Sequence, residues 1–165
     1  MLVPFQQLPS YSRVWVFQST KCITAQQKES LETMMSGFCE AWQSHGKELV
    51  AGFKIEWEHF LIVGVNENSK DASGCSIDKL FHLLSQWQTA QDLDFFDRKF
   101  VALVDQESLN FASIQEVKSI YKQGKIPDNQ LIINTLTNTK ALFESSFTQA
   151  ISKSWIGVGL SKAMV

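Results

Sequence analysis

The sequence predicts an α+β fold in which one antiparallel sheet carries helices on one face. Short segments rich in β-branched and aromatic residues alternate with longer segments whose apolar residues recur at helical spacing. A hydrophobic content of 44%, with five Trp and 12 Phe in 165 residues, is enough for one sizeable core. We therefore expect a single domain spanning residues 1–165.

The first strand and the first helix have the clearest signals. Arg13 to Gln18 is β-branched and aromatic on both alternating faces, which predicts a strand covered on both sides near the centre of the sheet. Thr24 to Gln27 matches a capping box. Apolar residues then recur at helical spacing until His45-Gly46, where we expect the helix to end.

A hairpin and a second helix follow. Leu49 to Glu56 and Phe60 to Val65 predict two strands, although the turn between them lacks the usual Asn-Gly or Asp-Gly. A polar loop leads into a helix with apolar residues from Ile77 to Trp87, and Phe100 to Val104 predicts a further strand. Residues 12–105 thus follow the order βαββαβ, which is the ferredoxin-like arrangement.

Residues 106–165 predict a helical C-terminal extension, with helices after Ser113 and near Asn138. Helices on one side alone would leave the apolar strands half exposed, which is uncommon on monomers. We expect the extension, or a partner subunit, to cover the second face. A homodimer is a further prediction, because Trp15, Trp57 and Trp155 exceed what the helical faces require and Trp is enriched at interfaces.

Composition excludes several classes of function. The 15 Lys and Arg against 17 Asp and Glu give a net charge of -2 without a basic cluster, so we expect no nucleic-acid partner. Three separated cysteines without a C-x-x-C pair argue against a disulfide framework and a metal site, and the odd number suits a reducing cytosol. No signal peptide or apolar run of about 20 residues is present, so we expect a cytoplasmic protein without a membrane segment or cofactor.

Several short segments together resemble one family. They are Leu8-Pro9, Arg13 to Gln18, His45-Gly46, Ser73 to Lys79, Phe95 to Arg98, Asn134 to Phe143 and Ser154-Trp155. In these the chain resembles, nearly end to end, a family of small bacterial proteins of unknown function that are sometimes labelled as ABC transporter ATPases. The resemblance implies no established activity.

The residues themselves do not support ATP hydrolysis of that type. An ABC ATPase needs a G-x-x-x-x-G-K-[ST] loop, whose backbone amides and lysine hold the phosphates. At Gly46-Lys47, Ala41 stands where the motif needs its first glycine, and Glu48 stands where it needs Ser or Thr. At Gly124-Lys125, Ile126 stands where the motif needs Ser or Thr. A Leu-Ser-Gly-Gly-Gln signature is also missing from the sequence.

Ser73 to Ser76 is the most informative stretch, because hydroxyl and thiol residues flank a glycine where a helix is predicted to begin. Ser73 and Ser76 can simply cap the helix. The amides of a helix start can also hold an anion, with Gly74 allowing close approach of a ligand. Arg98 would add a bidentate donor if its turn lies nearby; alternatively, it bridges a carboxylate in a structural corner. We therefore predict a binding module that holds a small anionic ligand or an acidic partner group at Ser73, Gly74, Cys75, Ser76 and Arg98.

The alternative hypothesis is a thiol-dependent enzyme with Cys75 as nucleophile, since a helix start lowers a thiol pKa. His82, seven residues on, would lie about 10 Å away along the helix axis, so His59 or His45 would have to act as the base. The simpler interpretation is that Cys75 is a small residue packed at the helix start. Whether the protein is an enzyme stays open at this stage.

Overall fold

The computed structural model describes residues 1–67 and 72–159, and confirms the α+β class. The helices are α1 (Ala25–Ala41), α2 (Gly74–Gln91), α3 (Ile114–Lys122), α4 (Lys140–Ser146) and α5 (Trp155–Val158). The strands are β1 (Arg13–Gln18), β2 (Gln43–Ser44), β3 (Lys47–Glu48), β4 (Val50–Glu56), β5 (Phe60–Asn66), β6 (Phe100–Asp105), β7 (Ser108–Ser113), β8 (Leu131–Ile133) and β9 (Thr148–Ala150). Within the described ranges, no helix combines the length and apolar character needed to cross a bilayer.

A three-stranded antiparallel sheet of order β1-β5-β4 contains the predicted hairpin. Its strands pair as far as Glu56 opposite Phe60. The turn places Trp57 and Glu58 in the left-handed region, at φ 53 and φ 54. Left-handed turns normally use glycine or asparagine, so this hairpin forms without its usual sequence signal.

The ferredoxin-like order is not confirmed, because β6 does not lie beside β1. It lies in a second sheet of order β7-β6-β8-β9, where its main partner is the adjoining strand β7. A hairpin partner only a short turn away is reached at a lower entropic cost than a distant strand. The extension beyond residue 105 is therefore not helical alone, since it supplies three strands of this sheet.

Both faces of the first sheet are covered within this chain. On one face, Phe17 and Val63 belong to a core that α1 and α2 complete with Leu31 and Leu84. On the other face, Val14, Phe60 and Ile62 pack with three residues of the later part of the chain, namely Ala102, Ile133 and Phe143. The all-apolar strands are explained without a partner subunit, so the homodimer loses its first argument.

The ends of the helices follow local signals where neighbours allow. Thr24 and Gln27 form the predicted capping box at the start of α1, which is confirmed. The helix ends at Ala41, so the prediction that it ends at His45-Gly46 was wrong. Those two residues, at φ 51 and φ 73, form the turn of the β2–β3 hairpin.

The two outer edges of the first sheet are each paired near the start of their strand. Along β4, Val3 N–H donates to Ala51 O at 2.9 Å and Ala51 N–H donates to Met1 O at 3.1 Å. Along β1, only the start is paired, through Val14 N–H to Asn138 O at 3.0 Å and an isolated bridge between Arg13 and Thr139. The rest of β1 faces a groove.

Candidate functional site

The predicted helix start lies where the sequence placed it. Ser73 is the N-cap of α2, and its Oγ accepts from Ser76 N–H at 3.3 Å. The Ser76 hydroxyl donates to Ser73 O at 2.8 Å, and Ser73 N–H donates to Ser44 Oγ at 3.2 Å. The capping interpretation is therefore met by the geometry, and the protein itself already uses two of the amides of the predicted anion site.

The remaining two amides, of Gly74 and Cys75, have no recorded acceptor among the described residues. Gly74 is not required by space, because a Cβ there would meet nothing within 4 Å, and its backbone is not left-handed. A helix start with free amides is common to most helices. Anion binding at Ser73–Ser76 thus stays a prediction, and nothing else at this position points to a ligand.

The two candidate bases for Cys75, His59 and His45, lie at different distances from it. His59 precedes β5, whereas α2 follows the far end of that seven-residue strand, so the two lie about 20 Å apart along the sheet. The His59 ring is instead bonded to Ser19 O through Nδ1 at 2.9 Å. His45 lies on an exposed turn close to the helix start, beside Ser44. The structure therefore separates His59 from Cys75 and leaves only His45 in its neighbourhood.

The other two thiols are not activated. Cys39 is fully buried, and this burial raises the pKa of its thiol to about 12. For Cys22, partial burial and then the nearby Glu58 carboxylate, 3.6 Å from Sγ, raise the pKa of the thiol. Both shifts favour the protonated thiol, which is the weaker nucleophile.

Arg98 does not complete the helix start. Asp94 holds the corner by accepting from the amides of Phe96 and Asp97, at 2.8 and 3.1 Å, and Phe95 is buried. The exposed Arg98 side chain has no ion-pair partner among residues 1–67 and 72–159. It lines a groove that contacts α2 at Phe81, about 10 Å along the helix axis from its first residue.

This groove has a volume of about 270 Å³ and lies between β1 and a segment that begins with a turn at residues 135 and 136. One wall is Val14 to Gln18 of β1, and the other is Thr135 to Asn138, the segment that follows β8. The remaining lining residues are Phe81, Phe95, Asp97, Arg98, Phe100, Val101, Ile114, Ile133 and Trp155. Aromatic and aliphatic side chains therefore dominate, with a few polar groups among them.

The groove runs along the open backbone edge of β1. All five residues from Val14 to Gln18 line it, although their side chains alternate between the two faces of the sheet. Val14 donates its N–H toward this side, to Asn138, whereas Ser19 donates toward β5, to His59 O. Because successive amides of a strand alternate in direction, those of Val16 and Gln18 point to the groove. Neither amide has an acceptor within the described ranges.

Two buried polar atoms belong to residues on opposite walls of the groove and have no partner. Gln18 is 7% exposed; its Nε2 donates to Phe100 O at 3.1 Å, but its Oε1 is unpaired among the described residues. Thr137 is 4% exposed, and its Oγ1 is likewise unpaired. Buried polar atoms are nearly always hydrogen-bonded, and each exception needs an explanation. A ligand between the walls is one.

Arg98 was predicted to bind a ligand, but at the start of α2 and not at this groove, and Gln18 and Thr137 were not predicted at all. The available signals were a polar residue closing the otherwise apolar Val14 to Gln18, and the polar run Thr135 to Asn138 after a short apolar strand. Neither signal is specific alone, because the two segments meet only in the folded chain. In the parts of the chain that are described, no cluster of three or more His, Cys, Asp or Glu could hold a metal ion.

Comparison with protein-family models, with curated proteins and with solved structures found no match for this chain.

Proposed function

We propose that this protein is a binding module that takes a small ligand with an anionic group into the groove between β1 and Thr135–Asn138. The observation that carries the proposal is the pair of unpaired buried polar atoms, Gln18 Oε1 and Thr137 Oγ1, on residues of its opposite walls. Leaving a buried polar atom unpaired costs about 1–3 kcal/mol. Both atoms are closed to solvent in the described structure, so a ligand recovers that free energy only when the two walls move apart to admit it.

The size and lining of the groove support a small organic ligand. Its 270 Å³ lies just below the usual range of about 300–1,000 Å³ for small-molecule sites. Such sites are mostly apolar with a few placed polar groups. Here Trp15, Phe81 and Trp155 supply aromatic surface around the polar atoms.

Arg98 favours a ligand with a negative charge. Its guanidinium is exposed at the groove and free of ion pairs among the described residues, and it can hold a carboxylate or phosphate through two parallel hydrogen bonds. The neighbouring Asp97 carboxylate is engaged in part, since Oδ1 accepts from Lys99 N–H at 3.0 Å. Gln18 Oε1 can only accept, so the ligand also carries an N–H or O–H donor.

The test is a thermal-shift and calorimetric screen of small carboxylates and phosphates against the protein, Arg98→Gln and Lys99→Gln. Lys99 is also exposed but does not line the groove, so it is the matched control for loss of one positive charge. We expect Arg98→Gln to weaken binding by about tenfold or more and Lys99→Gln to leave it unchanged. Equal effects of the two substitutions, or no binding by any compound, would contradict the proposal.

Membership of the small bacterial family and a cytoplasmic location also stand as proposals. Four of the resembling segments contribute residues to the groove, namely Arg13–Gln18, Phe95–Arg98, Asn134–Phe143 and Ser154-Trp155. Free Cys22, Cys39 and Cys75 fit a reducing compartment. A structure of a second member with the same groove would test the first proposal, and fractionation of the source cells would test the second.

A further inference from the structure

We infer that the ligand of this groove is a short free peptide, bound in extended conformation as an added strand on β1. The inference rests on the proposed function, because it uses the same groove and the same Arg98. It adds the chemical class of the ligand: a peptide main chain that ends in a free carboxylate.

The first argument is that the two walls of the groove diverge, so that the space between them is a wedge that is narrow at Val14 and wide at Gln18. Residues 138–140 pair with β1 at its start, where Lys140 N–H donates to Ser12 O at 2.8 Å and Val14 N–H donates to Asn138 O. Continued pairing would bring Val16 N–H to Leu136 O, but the described structure records no such bond, and the groove lies between the two segments instead. The walls therefore part beyond Val14, which leaves room for another extended chain.

The second argument is the pattern of backbone groups on the open edge. Val16 presents both its N–H and its C=O to the groove, because its pairing with Ile62 on the other side is of the type without direct hydrogen bonds. An edge strand of this kind is a template for another main chain. A peptide residue offers the matching acceptor and donor at the same spacing, which a simple carboxylate or phosphate does not.

The third argument is the lining of the open edge of β1. The opposite edge, β4, is bonded to Met1 and Val3 at Ala51. The β1 edge is flanked instead by apolar walls on both faces, Phe81 on the helix side and Ile133 on the side of the second sheet. Alternating side chains of an added strand would contact these two walls in turn, so the structure favours a peptide with apolar side chains.

The position of Arg98 sets the length of the peptide ligand and the chemical group at its end. Gln18 is bonded to Phe100 O, which places Arg98, two residues earlier, toward the wide end of the wedge. From Val14 to Gln18 the edge spans about 13 Å, enough for about three or four extended residues. A free carboxylate at Arg98 then completes the ligand at the wide end, and Gln18 Oε1 accepts one of its N–H groups.

The experiment is calorimetric titration of the full chain with trivaline, trivaline amide, and trivaline N-methylated at its central residue. We expect trivaline to bind and both modified peptides to bind about tenfold or more weakly, the amide for lack of the Arg98 pair and the N-methyl peptide for lack of a main-chain donor. In Arg98→Gln, trivaline and its amide should bind equally, because the partner of the carboxylate is gone.

Amide NMR gives a second measurement. Trivaline should shift the Val16 and Gln18 resonances more than those of Trp15 and Phe17, which point toward β5. If small carboxylates bind in an Arg98-dependent manner but N-methylation has no effect, the peptide inference is wrong and the proposed function stands. If trivaline binds no better than acetate and the Val16 amide does not respond, the inference is equally overturned. If no carboxylate binds at all, both fall.

Discussion

The start of α2 and the open edge of β1 both present polar groups, but at the start of α2 the serine hydroxyl groups are paired within the protein. Around Ser76, the amide, hydroxyl and carbonyl all bond to neighbours, the carbonyl to Trp42 Nε1 at 2.9 Å. Along the groove, Gln18 Oε1, Thr137 Oγ1 and the Val16 amide have no partner in the described residues.

The difference shows that residue type does not by itself mark a binding site. A run of serine, glycine and cysteine at a helix start suggests a ligand, yet its hydroxyl groups serve the helix itself. An ordinary glutamine and threonine become informative only because folding buries them without partners. Substituting a paired polar group should lower the free energy of unfolding of the protein, whereas substituting an unpaired buried one should raise it. Each of the following predictions tests that contrast.

Trp42→Phe carries the largest expected effect. Trp42 is buried, packs against Phe38 and donates to Ser76 O, so the substitution removes a hydrogen bond and leaves space in the core. We expect the free energy of unfolding to fall by about 2–3 kcal/mol in urea denaturation. Trp155→Phe is the control, since Trp155 is 40% exposed and should change stability by less than about 0.5 kcal/mol. Equal costs would show that the helix start is not held as described.

Thr137→Val tests the groove with the opposite sign. The valine keeps the volume but removes the unpaired hydroxyl, so we expect the free energy of unfolding to rise by about 1–2 kcal/mol. Thr139 is the N-cap of α4, and its Oγ1 accepts from Leu142 N–H at 3.2 Å. Thr139→Val removes this cap and should lower the free energy of unfolding by about 1 kcal/mol. A destabilising Thr137→Val would mean that its hydroxyl is paired and that the groove lacks its main evidence.

Local signals predicted the elements but not their neighbours. The Thr24 cap, the Ser73 cap, the Ser113 cap and the hairpin through residue 57 all depend on residues close in sequence, and each forms. The ferredoxin-like order failed because the sequence does not say whether β6 prefers β1 or β7. That choice depends on packing and on the entropy of loop closure.

The candidate site was only partly predictable for the same reason. Arg98 was expected to bind a ligand and lies at the groove, but its predicted partner, the Ser73 helix start, lies elsewhere on α2. The wall that faces β1 comes from residues 135–138, more than a hundred positions later in the chain. No spacing pattern connects such distant segments before the chain folds.

Ser73→Ala tests capping directly. The substitution removes the acceptor for Ser76 N–H, and we expect it to cost about 1 kcal/mol of unfolding free energy. Ser85→Ala, at an exposed position within α2, is the control and should be neutral or slightly stabilising because alanine favours helix interiors. A neutral Ser73→Ala would mean that the hydroxyl serves something other than the helix.

Gly74→Ala has the smallest expected effect and decides whether the helix start binds anions. Nothing lies within 4 Å of the added Cβ, so the lower entropy of the unfolded chain should stabilise the protein by about 0.5 kcal/mol, measured by urea denaturation. Gly37→Ala, equally unobstructed within α1, is the control and should stabilise by a similar amount or more.

Phosphate sharpens this last prediction, because an anion bound to the folded state raises the free energy of unfolding in proportion to the logarithm of its concentration. If phosphate binds at the groove, Gly74→Ala should keep that response and Arg98→Gln should lose it. If it binds at the amides of Gly74 and Cys75, a methyl group beside them should weaken the response while Arg98→Gln preserves it. The second result would make the helix start the binding site after all, and would leave the open edge of β1 without a ligand.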